Sequence, residues 1–131
     1  MAVTALFASV LGLLYLVISA RVMAVRRVAG RLPADDAELA TQLRLRVHRN
    51  FAEYVPIVLT LLGLAESLSA PFPVLFAIGS FLVAGRCLHV AALSCEPEHQ
   101  ALRMAGMVCT LLALGLGSLT DLSLAIGTYR S

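Results

Sequence analysis

Charge is scarce in this chain, and lysine is absent from it. Only 14% of the 131 residues are charged, while 60% are hydrophobic. A soluble domain of this size carries nearer ~25% charged residues. The ten basic side chains are all arginine, and the formal net charge is only +2. Such a balance gives no basic footprint for nucleic acid. Cysteine is sparse too. Cys87, Cys95 and Cys109 are odd in number and irregularly spaced, so they form neither a disulfide framework nor a zinc pattern. They read as apolar filler, and no metal is implied. No internal repeat, linker or low-complexity tail is visible, and the length suits one compact unit.

What is present is apolar sequence in four long blocks. Ala2 to Ala20 carries no charge, Val55 to Ser69 only Glu66, Phe72 to Ser94 only Arg86, and Met104 to Thr120 none. With flanking residues, each block reaches the ~20 residues that a helix needs to cross the hydrocarbon core. Helices satisfy their own backbone groups there, which lipid cannot do. The expected fold is an all-α bundle of four transmembrane helices forming a single membrane domain over 1–131. The expected spans are 3–27, 34–66, 72–94 and 98–121. The first block lacks a basic start, and its arginines follow the apolar run. A retained span is therefore expected there, not a secretory signal.

Punctuation agrees with these limits. Gly30 and Pro33 break the first helix. Asp35, Asp36 and Glu38 place acid at the positive end of the second. Pro71 and Pro73 mark the next turn, and Cys95-Glu96-Pro97 the last. Gly106, Gly115 and Gly117 offer close helix approach in the fourth span. Seven of the ten arginines fall between Arg21 and Arg49. The positive-inside rule then puts the first loop, and with four spans the third, on the cytoplasmic side.

The few charges gather at the start of the second span. At ~100° per residue, Arg46, Arg49, Asn50 and Glu53 share one narrow face. Tyr54 lies beside it and His48 opposite. Arginine offers a planar fork for carboxylates, and glutamate accepts hydrogens from an ammonium. Asparagine can donate or accept. Together they complement a small zwitterion such as a peptide. The same residues also fit a purely structural reading, in which Arg46 or Arg49 neutralises Glu53. Pro56 removes the hydrogen bond to the Ala52 carbonyl and should kink the helix just past this cluster.

The run Arg46-x-His48-Arg49-Asn50-x-x-Glu53-Tyr54-x-Pro56 resembles the signature of the MAPEG family. These are the membrane-associated proteins of eicosanoid and glutathione metabolism. The resemblance extends over the whole chain in size, span number, basic first loop and motif position. It implies a homotrimer in the lipid bilayer that binds glutathione between adjacent subunits near the cytoplasmic face. It implies that Arg46, Asn50, Glu53 and Tyr54 hold the tripeptide, with His48 in the same site. The short first loop resembles that of bacterial members, implying a protein of the bacterial inner membrane.

Two further cations belong to this reading. Arg86 lies deep in the third span, where an unpaired charge is costly. It is expected to point inward and pair with Glu53 or Glu66, or to touch the ligand directly. With His89 it forms an Arg-x-x-His resembling that of the family's prostaglandin synthase. Arg103 opens the fourth span, where family enzymes use an arginine to stabilise the glutathione thiolate. A nearby cation and a helix N-terminus both favour charged sulfur. Leu93 departs from the family, which tends to place tyrosine there. The resemblance thus implies a glutathione-dependent transferase or peroxidase acting on lipophilic electrophiles. One alternative is a non-catalytic member that binds glutathione or lipid. Another is a small four-span transporter, but proton-coupled ones of this size carry an acid in the first span, and Ala2 to Ala20 has none.

Overall fold

The computed structural model describes residues 1–29, 31, 34–92 and 99–130. They form four helices and no strand among them: α1 (Ala2–Ala29), α2 (Ala34–Ser67), α3 (Phe72–Ala92) and α4 (Gln100–Arg130). The all-α bundle expected from the sequence is what the chain adopts. Three helices are long and apolar enough to cross a membrane: Ala2–Val28, Phe72–Ala92 and Gln100–Thr128. The second is as long, but its first half carries the polar cluster. Gly30, Pro33 and the Cys95-Glu96-Pro97 turn lie outside the described residues. α4 continues past Asp121 to Arg130, beyond the expected end. Between Asp121 and Arg130, a stretch that includes Leu122, Leu124 and Ile126, there is no proline or charge to stop it.

α2 and α3 form the middle of the bundle. Each touches the other and both flanking helices, whereas α1 and α4 do not meet among the described residues. The buried stripe of α2 runs Val47, Phe51, Val55, Val58, Leu62. That three-and-four spacing keeps one face on the core. α1 answers with Phe7, Leu11, Ile18 and Val22. Many large apolar residues remain outside, including Leu6, Leu13 and Leu16 on α1 and Leu119 and Leu122 on α4. Lipid tails solvate such residues as well as a protein interior does, so packing and hydrogen bonds must supply helix association.

Two devices fix the end opposite the polar cluster. The Glu66 carboxylate caps the N-terminus of α1. It accepts from the Val3 amide at 3.0 Å, the Thr4 amide at 2.8 Å and the Thr4 hydroxyl at 2.6 Å. The Met1 amine lies 2.7 Å from the same carboxylate. First-turn amides have no partner within their own helix, so a carboxylate satisfies them and meets the positive helix end. The α2–α3 turn closes with Ser69 at φ 62°. The Ala70 amide donates to the Ala65 carbonyl and the Ser69 amide to Glu66, a Schellman closure. Pro71 then accepts the first bonds of α3. Glu66→Ala is expected to lower the unfolding temperature in detergent by several degrees, with Glu66→Gln intermediate. Thermal circular dichroism checks this.

Candidate functional site

On α3 the buried stripe changes character. It begins with Leu75, Ile78 and Leu82, then carries Arg86 and His89 before closing on Ala92. Arg86 is only 1% exposed, and its guanidinium ties three helices together. Nη1 donates to Asn50 Oδ1 of α2 at 2.5 Å and lies 3.5 Å from the Asn50 carbonyl. Nη2 donates to the Thr110 hydroxyl of α4. Thr110 passes its own hydrogen to the Gly106 carbonyl at 2.9 Å. The Tyr54 ring lies beneath the guanidinium carbon at 5.9 Å, a cation–π distance.

Two glycines permit this reach. A Cβ on Gly85 would lie 2.7 Å from Thr110 Oγ1 and 2.8 Å from the Gly106 carbonyl oxygen. One on Gly106 would lie 2.7 Å from the Gly85 oxygen and 2.9 Å from the His89 nitrogen. α3 and α4 therefore cross backbone to backbone. Gly117 is also close, against Leu61 of α2, while Gly115 has open space beside it within the chain. Two of the three glycines noted in the fourth span are thus close-approach positions.

Arg86 pairs with neither Glu53 nor Glu66, the partners expected from the sequence. Glu66 is taken by α1, and Glu53 is exposed. Two neutral acceptors and a ring surround Arg86 instead, and its buried Nε has no hydrogen-bond partner. Among the described residues no carboxylate neutralises it. Polar side chains can satisfy a guanidinium's hydrogens without removing its charge. Thr110 was not singled out from sequence. Its signal was weak: a hydroxyl four residues after Gly106 in an uncharged run.

The remaining predicted residues are placed as follows. Arg46, Arg49 and Glu53 are exposed on α2, and no ion pair joins them among the described residues. Asn50 and Tyr54 are half-buried and meet Arg86. His48 faces the other way, its ring tilted against Tyr15 of α1 at 4.9 Å, with Phe51 stacked on the same tyrosine at 5.3 Å. His89 is buried one turn beyond Arg86. Arg103 is half-buried in the first turn of α4, before Gly106 and Thr110. The His99 amide closes back onto the Ala92 carbonyl at 3.3 Å, which keeps the start of α4 beside the end of α3. Leu93 lies outside the described residues. Among those described, Cys87 and Cys109 are free, and no group of His, Cys, Asp and Glu could hold a metal ion.

On the far side of α2 lies an apolar groove of about 280 Å³ against α1. Tyr15, Phe51, Ala52, Val55 and Pro56 help to line it. Pro56 has no amide hydrogen for the Ala52 carbonyl, yet α2 runs through it as one helix from Ala34 to Ser67. The Pro56 carbonyl itself accepts the Thr60 hydroxyl at 2.8 Å.

The geometry is thus a buried guanidinium, without a carboxylate partner among the described residues, set behind an exposed polar stripe in a bundle with helices long and apolar enough to span a membrane. No curated protein and no solved structure matches this chain. A family model does, over residues 4–120, and it is that of the MAPEG family. The match covers the polar stripe, Arg86, Arg103 and Thr110 together, and the chain belongs to the MAPEG family.

Proposed function

We propose that the protein is a glutathione-dependent integral membrane transferase or peroxidase. Family membership brings a glutathione-related transferase or isomerase type of function in a membrane. The observation that carries the finer reading is the state of the α2 stripe. Arg46, Arg49 and Glu53 stand exposed and unpaired with one another, while Asn50 is pinned from behind by Arg86. Charges arranged only to cancel would be expected to touch. A zwitterionic tripeptide suits a face offering arginine forks, an amide and a carboxylate.

In this reading Arg46, Asn50, Glu53, Tyr54 and His48 hold glutathione, with Arg86 behind them and neighbouring copies of the chain completing the site in a homotrimer. Bound glutathione supplies a thiol that becomes the nucleophile toward a lipophilic electrophile from the bilayer. Arg103 holds its positive charge near the N-terminus of α4, where both favour an ionised sulfur. The chain sits as a multi-pass protein in a bacterial inner membrane with its first and third loops cytoplasmic.

The test is turnover. Purified protein in proteoliposomes, given glutathione, is expected to consume a halonitrobenzene electrophile or reduce a lipid hydroperoxide. Saturable glutathione binding without either reaction would favour the non-catalytic alternative, which Leu93 supports. Absence of both binding and turnover would remove the reading.

A further inference from the structure

We propose that Arg86 is a positioning residue that locks the Asn50 amide with its hydrogens outward, making Asn50 select a carboxylate oxygen and reject an ammonium. This rests on the stripe of α2 being a glutathione docking surface. An arginine carries donors and no acceptor. The Asn50 atom 2.5 Å from Nη1 must therefore be Oδ1. The alternative flip would set an NH₂ group against a guanidinium, hydrogens facing hydrogens.

The lock is rigid because both arms of the fork are committed. Nη1 is on Asn50 and Nη2 on Thr110. Thr110 cannot turn to relieve it, since its hydrogen is already given to Gly106. Gly85 and Gly106 let α3 and α4 cross backbone to backbone, which holds Thr110 against Arg86. Arg86 is almost wholly buried, and its bond to Thr110 is shielded from water.

Asn50 is left with one role. Its Oδ1 is occupied, and its Nδ2 hydrogens meet no acceptor among the described residues. The guanidinium charge behind it polarises the amide, leaving the positive end forward. Charge-assisted donors of this kind prefer anionic oxygen. Glu53, three residues on and exposed on the same face, is the complementary place for an ammonium. The stripe thus sorts the ends of a zwitterion: carboxylate toward Asn50 and the arginines, amine toward Glu53.

The experiment is calorimetric titration of the purified, detergent-solubilised protein with glutathione and with its diethyl ester, alongside thermal unfolding. Asn50→Asp gives Arg86 an ion pair, so the unfolding temperature should hold or rise. Its outward atom becomes an acceptor, and glutathione affinity should fall roughly 10- to 100-fold, the range for a hydrogen bond to a charged group. The diester, lacking carboxylates, should lose less. Arg86→Met frees the Asn50 amide to turn and should shrink the preference for free acid over diester by roughly tenfold. Arg86→Lys should restore part of that preference, which a merely structural role would not do. Asn50→Asp binding glutathione as tightly as wild type would overturn the inference. So would an Arg86→Met variant that weakens acid and diester equally. Should Arg86→Met not fold, the Asn50→Asp result alone decides. A wild-type protein without affinity for glutathione would overturn the docking reading itself, and the inference with it.

Discussion

Gly85→Ala is expected to cost about 2–3 kcal/mol of stability, the upper range for overpacking a tight contact. The added methyl would lie 2.7 Å from Thr110 Oγ1 and 2.8 Å from the Gly106 carbonyl oxygen. A backbone carbonyl cannot swing aside as the tip of a flexible side chain can. α4 must back away from α3, and the Arg86 bond to Thr110 is stretched as it does so. That leaves a buried guanidinium short of an acceptor, which adds to the steric cost. Gly115→Ala is the matched control on α4, since nothing lies within 4 Å of its added Cβ. It should be nearly neutral or slightly stabilising, because alanine is the better helix former. Thermal unfolding in detergent compares the two. Equal melting temperatures would refute the close crossing of α3 and α4.

Arg103→Ala is expected to lower turnover about 100-fold while changing glutathione affinity much less. A cation near a developing anion stabilises charged sulfur over the thiol, and removing such a group typically costs ~10²–10³ in rate. The half-buried position of Arg103 in the first turn of α4 adds the helix's own positive end to that field. The ultraviolet absorbance of bound thiolate reports the step directly. It should be visible in wild type and absent in Arg103→Ala at neutral pH. Loss of binding together with loss of absorbance would make Arg103 a docking residue instead.

Much of the fold could be read from charge scarcity alone. An uncharged run such as Ala2 to Ala20 has few soluble solutions, and Pro71 with Pro73 fixes where α3 begins. The end of α4 was harder, because nothing after Asp121 forces a helix to stop. At the site, helical periodicity placed Arg46, Asn50 and Glu53 on one face and His48 on the other, where its ring lies against Tyr15. The partner of Arg86 escaped that treatment. A carboxylate is the obvious mate for a buried arginine, but Asn50 and Thr110 sit on separate helices, and only the Gly85–Gly106 crossing brings all three together. Periodicity describes one helix at a time, and a network across three helices depends on how closely backbones approach.

The most direct measurement is the heat of glutathione binding to the purified protein, compared between wild type and Arg46→Ala. Arg46 is exposed and makes no ion pair among the described residues, so its removal should leave the fold intact by thermal unfolding. Saturable binding in wild type, weakened by roughly tenfold or more in Arg46→Ala, is the expected result. Identical titrations for the two proteins, or no heat from either, would contradict the view that the polar face of α2 receives the tripeptide.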